Sequence, residues 1–213
     1  HLPVYIDNDA NFMAYGEYMC GQGIGLKVVV GITLGTGVGG GIILNGEIYH
    51  GAIFNAAEIG HVVVEPNGRA CPCGNRGCLE KYAGAKAMVQ DVVDALHRKE
   101  ESMVTQGLLS YEEINPALIF AAAKYGDELC TRIVRQMIMY LGAGLSSVVN
   151  ILNPDMLIVG GGISDAGEGF ISGLREEVMA RMMKPLKTQL KIVRAKLGND
   201  AGMLGAGTFA LKK

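Results

Sequence analysis

The amino-acid sequence predicts an α/β fold, and three observations indicate it. Short apolar runs bounded by glycine, proline or asparagine alternate with longer segments whose apolar residues recur every three to four positions. Two of the short runs end in glycine clusters, at residues 35–41 and 160–162. The chain has 213 residues, of which 49% are apolar, so we expect a substantial core in one domain of good size, or in one and a half small ones.

The predicted elements follow one another as strands and helices along the whole chain. Strands are predicted at 2–6, 27–34, 42–44, 47–49, 156–159 and 191–195. Helices are predicted at 10–19, 79–99, 116–125, 127–152, 167–184 and 201–211. Asn45-Gly46 between two apolar runs is a strong hairpin signal. Pro154 ends the longest helix, because proline cannot continue the helical hydrogen bonding.

The longest predicted helix resembles a membrane span at first sight, because residues 136–154 contain no charged side chain. The segment is nevertheless interrupted by polar residues, among them Ser146, Ser147 and Asn150. The apolar residues of this helix form one stripe, namely Leu129, Ile133, Met137, Leu141, Leu145, Val148 and Leu152. Such a stripe is typical of a helix that packs on a protein core, so no membrane insertion is expected.

Charge and composition narrow the function classes. With 19 basic and 21 acidic side chains the net charge is −2, which gives no indication of a nucleic acid or an anionic membrane as partner. Glycine accounts for 31 residues, about twice its usual share of ~7%. The glycines are concentrated in tight turns, which favours a fold that brings backbone close to a ligand.

Three cysteines and a histidine share one short stretch, HVVVEPNGRACPCGNRGCLE at residues 61–80. His61, Cys71, Cys73 and Cys78 are the ligand types of a closed tetrahedral zinc site. The alternatives are disulfides or free core thiols. Disulfides fit poorly, since the chain has five cysteines and three of them crowd into eight residues. Nothing resembles a signal peptide, so a reducing, cytoplasmic location is expected.

The first glycine cluster, GTGVGGG, is a plausible phosphate-binding turn, because several backbone N–H groups can converge on one anion there. It lacks the lysine and hydroxyl residue of a P-loop and the spacing of the dinucleotide fingerprint. An ordinary glycine-rich turn is the alternative. The cluster at 160–162 repeats the arrangement at a second strand end, which is where open α/β sheets bind ligands.

Carboxylates supply the candidates for proton transfer and polar binding. Asp9 lies at a predicted strand-to-helix junction and is the best candidate for a general base. A helix cap is the alternative role, since aspartate and asparagine are preferred there. Glu58 precedes the cysteine stretch and Glu80 ends it, and the alternative role for both is a solvated surface charge. The alternative role for His61 is that of a zinc ligand alone.

Taken together, these motifs resemble the ROK group of bacterial sugar kinases and sugar-responsive repressors. Four elements carry the resemblance in order, namely Asp7-Asn8-Asp9-Ala10-Asn11, LGTGVGGG at 34–41, Glu58-Ile59-Gly60-His61 and CPCGNRGCLE at 71–80. The segments 160–162 and 198–202 also look like the family's nucleotide-side turns. The resemblance implies the actin-like ATPase (ribonuclease H-like) fold. It further implies a larger lobe at 1–198 with a zinc loop inserted at 61–78, followed by a C-terminal helix at 199–213.

The resemblance also implies a role for each candidate residue. Asp9 would take a proton from a sugar hydroxyl as that hydroxyl attacks the γ-phosphate of ATP, commonly with Mg²⁺. The residues implied to bind the sugar hydroxyls are Asn8, Glu58, His61 and Glu80. Those implied to face the nucleotide are Gly35, Thr36 and Gly37 at the phosphates and Gly160, Gly161 and Gly162 at the adenosine. Structural zinc would be held by His61, Cys71, Cys73 and Cys78.

Two departures from the family pattern affect these expectations. The family's kinases begin with a small domain that carries an Asp-x-Gly-Gly-Thr turn, and this sequence contains no such motif. The chain therefore resembles the larger lobe alone, and these 213 residues by themselves are expected to phosphorylate sugar poorly or not at all. The C-terminal helix would normally pack on the small lobe. The second departure, Asn55-Ala56-Ala57 before Glu58, resembles N-acetylmannosamine kinases more than glucokinases, so a hexose and an N-acyl hexosamine both remain open as substrates.

Two rival functions remain beside the glucokinase-like hexose kinase. One is a transcriptional repressor of the same family, in which the kinase-like body senses sugar and a separate segment binds DNA. The intact LGTGVGGG and the presence of Asp9 favour the kinase. The other is a sugar-binding module with structural zinc and no catalysis, which leaves the two glycine clusters unexplained. A homo-oligomer is expected by analogy with the family.

Overall fold

The structure, a computed structural model, describes residues 3–212 and contains a mixed five-stranded sheet with helices on both faces. The strands are β1 (Val28–Leu34), β2 (Val38–Leu44), β3 (Glu47–Ile48), β4 (Met156–Gly160) and β5 (Lys191–Arg194). The helices are α1 (Asp9–Cys20), α2 (Glu80–Ala83), α3 (Ala85–His97), α4 (Pro116–Lys124), α5 (Glu128–Leu152), α6 (Glu168–Arg181) and α7 (Asp200–Lys212). The strand order is β3-β2-β1-β4-β5.

The sheet combines an antiparallel hairpin region with a parallel one. β1 pairs antiparallel with β2, and β2 pairs antiparallel with β3. β1, β4 and β5 run parallel, with Thr33 opposite Gly160 at the end of the β1–β4 pairing. The carboxyl ends of β1 and β4 therefore lie side by side, which brings the two predicted glycine turns to one edge of the sheet.

Alternate strand residues supply two apolar layers, as the two-residue period of a strand requires. The larger layer packs the sheet against α3, α4, α5 and α6, and includes Ile32, Leu157 and Leu141. The smaller layer lies under α1 and includes Val29 and Ile158. Because both faces of β1 and β4 are buried, these strands are continuous apolar runs in the sequence.

The longest helix, α5, packs on the core as its apolar stripe predicts. Leu129, Met137 and Leu145 of that stripe are all buried. Within residues 3–212, no helix is both long enough and apolar enough to span a membrane.

Two predicted elements were wrong. Residues 3–6 form no strand, and Val4 and Ile6 are exposed rather than paired in the sheet; residue 2 lies outside the described range. The single helix predicted at 79–99 is divided into α2 and α3 at Gly84, whose backbone is extended. A Cβ atom at Gly84 would lie 2.8 Å from the carbonyl oxygen of Thr36, so glycine is needed where the β1–β2 turn approaches the helix.

The glycines at 39–41 were also misassigned, because they belong to β2 and not to a loop. Gly41 pairs with Gly31 in the sheet. A Cβ atom at Gly41 would lie 2.6 Å from the carbonyl oxygen of Ala10, so this glycine allows α1 to approach the strand closely. Only the turn at 35–37 remains outside the strands as a candidate for binding phosphate.

The last helix packs against the first through glycine. The two helices are in close contact at Gly16 of α1 and Gly205 of α7. A Cβ atom on Gly205 would overlap the carbonyl oxygen of Phe12. On the outer side of α7, Met203 and Leu211 are exposed. The predicted division of the chain at residue 198, with 199–213 packing on a further lobe, stays a prediction.

We expect Gly205→Ala to lower the free energy of unfolding by about 1–3 kcal/mol, the usual cost of overpacking. Gly207→Ala, in the same helix, is the matched control, because no described atom beyond its chain neighbours and its own helix backbone lies within 4 Å of the added methyl group. It should raise the free energy of unfolding by up to about 1 kcal/mol through helix propensity alone. Urea unfolding followed by circular dichroism measures both. If both variants change the free energy of unfolding in the same direction, the close contact between α1 and α7 is refuted.

Candidate functional site

The start of α1 positions the candidate base. Asn8 is the N-cap residue, and its side-chain oxygen accepts a hydrogen bond from the backbone N–H of Ala10 at 2.9 Å. An Asp9 carboxylate oxygen lies 2.8 Å from the same N–H. Asp9 is exposed, so its carboxylate can meet a ligand while the helix start holds it in place. The two roles weighed for Asp9, cap and base, are thus compatible.

Asp9 and Glu58 line the same cavity, although they come from distant parts of the chain. The polar side chains that line the cavity are Asn8, Asp9, Asn11, Asn55 and Glu58, and Phe54 lies at its rim. The cavity is small, about 100 Å³, against about 300–1,000 Å³ for ordinary ligand sites. A ligand of ordinary size would therefore be only partly enclosed by these residues. His61 and Glu80 do not line this cavity.

His61 connects the cavity with the cysteine stretch. It ends a short 3₁₀ helix, Ile59–His61, that follows Glu58 directly. Its Nε2 atom lies 3.9 Å from a carboxylate oxygen of Glu58, and its Nδ1 atom lies 3.6 Å from the sulfur of Cys71. One ring nitrogen thus faces the cavity side and the other faces the thiols.

The four predicted zinc ligands converge. The ligand atoms of His61, Cys71, Cys73 and Cys78 all lie within 4.8 Å of one another, and the sulfurs of Cys73 and Cys78 are 3.6 Å apart. Zinc bound at about 2.3 Å from sulfur and about 2.0–2.1 Å from nitrogen spaces tetrahedral ligand atoms about 3.5–3.8 Å apart. The donor set and its spacing therefore fit zinc, while oxidation to a disulfide would require the sulfurs to approach to about 2 Å.

The thiols differ in acidity when they carry no metal. Burial raises the pKa of Cys71 to about 12 and also raises the pKa of Cys78. A hydrogen bond from the backbone of Asn75 lowers the pKa of Cys73, which is exposed. Because thiolates bind zinc, loading the cluster would release protons, and metal affinity should fall in acid.

Glu80 links the cysteine cluster to the β1–β2 turn. It is the first residue of α2, and one carboxylate oxygen accepts a hydrogen bond from the Cys71 thiol at 3.3 Å. Its other oxygen would lie 2.9 Å from a Cβ atom placed on Gly37. Glu80 therefore lies next to the candidate phosphate-binding turn at 35–37. A shift of the cysteine stretch would move the carboxylate of Glu80.

The turn at 35–37 is anchored to the start of α3. The N–H of Gly35 donates to the carbonyl of Gly37 at 3.1 Å, which closes the turn. The N–H groups of Ala85 and Lys86 donate to the carbonyls of Gly35 and Thr36. The turn's carbonyls are thus occupied. At the neighbouring strand end the second turn, 160–162, leads into the 3₁₀ helix Gly162–Ala166.

Asp7 and His50 are functional candidates to which the sequence patterns assigned no individual role. Their side chains are 2.6 Å apart, between a carboxylate oxygen and the Nε2 atom. The other oxygen of Asp7 accepts hydrogen bonds from the Asn8 N–H at 2.7 Å and the Asn11 amide at 2.8 Å. Burial alone would raise the pKa of Asp7, but the bonds from His50 and Asn11 lower it overall. No local signal marks His50, because its partner is far along the chain.

The similarity of this chain to known proteins identifies its family. The model of the ROK family matches residues 1–213. This chain belongs to the ROK family.

Named ROK relatives include both enzymes and regulators. The chain is 38% identical over 207 residues to a glucokinase from Halalkalibacterium halodurans, covering 97% of this chain and 63% of the relative. It is 35% identical over 212 residues to a xylose repressor from Caldicellulosiruptor bescii, covering 96% of this chain and 51% of the relative. The chain thus spans between half and two thirds of the length of these ROK proteins.

A solved ROK structure has the same fold. The ROK family glucokinase from Streptomyces griseus, determined in complex with glucose and AMPPNP, superimposes with a TM-score of 0.89. It is 38% identical, and the match covers 100% of this chain and 69% of that one. The predicted α/β fold of the actin-like ATPase class is confirmed. The zinc loop and the roles assigned to single residues stay predictions.

Proposed function

We propose that this chain supplies the sugar-binding and catalytic residues of an ATP-dependent hexose kinase. The observation that carries the proposal is the convergence of Asp9 and Glu58 on one cavity, with Asn8 beside them. Carboxylates and an amide in one partly open cavity suit a ligand rich in hydroxyl groups, because they accept and donate several hydrogen bonds at once. The similarity to glucokinases supports the same choice.

In the proposed mechanism, Asp9 acts as general base. A sugar hydroxyl hydrogen-bonded to the carboxylate loses its proton to Asp9 as its oxygen forms a bond to the γ-phosphorus, and the bond to the β-phosphate oxygen breaks. Asn8 and Glu58 orient the sugar, so that the attacking oxygen is aligned. Such transfer depends mostly on positioning and charge neutralisation, and Mg²⁺ would supply part of that neutralisation when it is bound with ATP.

The two glycine turns are proposed as the nucleotide side of the site. Gly35, Thr36 and Gly37 would face the phosphates, and Gly160, Gly161 and Gly162 the adenosine. Supporting this, the strands β1 and β4 that carry the two turns are parallel neighbours, so one nucleotide can span both. Glu80 lies between Cys71 and Gly37 of the first turn.

Zinc is proposed as a structural ion held by His61, Cys71, Cys73 and Cys78. With Nδ1 of His61 directed to the metal, its Nε2 remains available for a sugar hydroxyl. Glu80, hydrogen-bonded to Cys71, would be held by the same ion. Zinc bound there would stabilise two of the proposed sugar ligands, His61 and Glu80, without taking part in the transfer.

A sugar-responsive repressor is the second candidate, because the xylose repressor shares 35% identity with this chain. The kinase is favoured because Asp9 reaches the cavity and no sensing role requires a base there. The sugar itself is proposed as a hexose, with an N-acyl hexosamine as the alternative suggested by Asn55, Ala56 and Ala57.

The test is a coupled assay of ADP formation by the product of the complete coding region, with ATP, Mg²⁺ and a panel of sugars. We expect turnover with glucose, N-acetylmannosamine or a related hexose, and none with xylose. Calorimetry measures sugar binding by the 213-residue chain separately. Sugar binding without ADP formation, together with sugar-dependent binding of DNA, would reject the kinase in favour of the repressor.

A further inference from the structure

The last four residues of the loop at 50–57 form one wall of the cavity that Asp9 lines, and no step of the mechanism above uses them. Phe54 is the largest side chain on this wall, and it is 77% exposed. Ile53, its neighbour, is similarly exposed at 80% but does not line the cavity. An isolated exposed apolar side chain needs no explanation. Three further features of this loop distinguish Phe54 from such a residue.

The first feature is its backbone. Phe54 has a φ of +60° and Ala57 a φ of +65°, in the left-handed region that side chains with a Cβ atom rarely adopt. Conformations of this kind cluster at ligand sites, where the surrounding structure holds them in place. The loop is therefore held in a specific shape beside the cavity.

The second feature is the contact that supports the ring. The imidazole of His50 lies against Phe54, with ring centroids 5.0 Å apart. The Nε2 atom of His50 is bonded to Asp7, and Asp7 accepts the N–H of Asn8 at the start of α1. A continuous set of contacts thus connects the segment that carries the proposed base with the aromatic ring across the cavity.

The third feature is chemical complementarity. A hexose has polar hydroxyl edges and apolar C–H faces. Asn8, Asp9 and Glu58 offer only polar groups, and the small cavity leaves part of a sugar uncovered. Apart from the small methyl groups of Ala56 and Ala57, the aromatic ring of Phe54 is the apolar surface that lines the cavity, and its rigid side chain is ordered at low entropic cost.

We propose that Phe54 contacts the apolar face of the bound sugar as a specificity-determining residue, and that His50 and Asp7 position it. This inference rests on the proposed function, since it assumes that a sugar occupies the Asp9 cavity. His50 and Asp7 act through Phe54 and the helix start and do not touch the reacting atoms.

The test compares Phe54→Ala with Ile53→Ala. Alanine is as disfavoured as phenylalanine at this φ, so the substitution removes the ring without changing the backbone preference. We expect Phe54→Ala to raise the KM and the calorimetric Kd for the preferred sugar about 5- to 20-fold, as loss of an aromatic contact does. Its kcat should stay within about threefold. Ile53→Ala should change neither constant by more than about twofold, and equal behaviour of the two variants would overturn the inference.

The positioning role is tested by His50→Ala and His50→Gln. We expect His50→Ala to raise KM about as much as Phe54→Ala does. The double variant, His50→Ala with Phe54→Ala, should have a KM no higher than that of either single variant. Glutamine can still donate to Asp7 and should restore part of the loss. Additive losses, or a fall in kcat with KM unchanged, would contradict the positioning role.

Two controls distinguish failure of the role proposed for Phe54 from failure of the proposed kinase function. Thermal unfolding checks that each variant folds, and Phe54→Leu replaces Phe54→Ala if the alanine variant does not. If the wild-type protein forms no ADP with any sugar but binds sugar, the kinase proposal fails and the Kd comparison still decides the role of Phe54. If the wild-type protein phosphorylates sugar and Phe54→Ala has the same KM and Kd as the wild type, only the role proposed for Phe54 is rejected.

Discussion

Replacing Asp9 by asparagine is expected to lower kcat for sugar phosphorylation by about a hundred- to ten-thousandfold, the usual contribution of a positioned general base. Asparagine has the same shape and can still accept the hydrogen bond from Ala10 at the helix start. It cannot take up the proton of the attacking hydroxyl. Sugar binding should therefore survive, with a calorimetric Kd within about threefold of the wild-type value.

The measurement is kcat by the coupled assay and Kd by calorimetry on the same preparations. Asp94→Asn is the matched control, because Asp94 is an exposed carboxylate on α3 that contacts only Gln90 among the described side-chain hydrogen bonds. It should leave both constants unchanged. If Asp9→Asn retains near-normal kcat, Asp9 is a helix-cap residue and the base must be another group.

Replacing Cys73 by alanine is expected to remove zinc and to destabilise the protein. Cys73 is exposed, so the substitution forfeits little apolar packing, and a loss of stability would report the metal. Altering a group that merely contacts a ligand typically weakens metal binding about 10- to 100-fold, so loss of a ligand should cost at least about a hundredfold. With zinc gone, His61 and Glu80 lose their anchor, and the KM for sugar should rise.

Metal content is measured by mass spectrometry and stability by thermal unfolding, with and without a chelator. About one zinc per wild-type chain is expected, and the chelator should lower the unfolding temperature of the wild type but not of Cys73→Ala. Cys20→Ala is the control, since Cys20 ends α1 outside the cluster and should leave zinc content unchanged. A metal-free wild-type protein with unaltered stability would reject the zinc site.

Local patterns were sufficient for most helices and strands. The stripe of apolar residues on α5, the Asn45-Gly46 turn and the buried runs of β1 and β4 each follow from a short-range rule, and the structure confirms them. The convergence of His61, Cys71 and Cys78 was predictable for the same reason, because close spacing in the chain limits how far apart the side chains can lie. The neighbouring positions of the two glycine turns follow from β1 and β4 being parallel.

The sequence by itself thus determined the α/β class, most of the order of elements and the candidate ligand set of the cysteine stretch. Tertiary structure decided what depends on contacts between distant segments. The bond between His50 and Asp7 joins residues without a shared pattern. The glycine at 41 serves the approach of α1 to β2, and Gly84 divides a helix because the turn at 35–37 passes beside it. Periodicity reports which face of an element is buried, whereas the identity of the neighbour that buries it is set only when the whole chain packs.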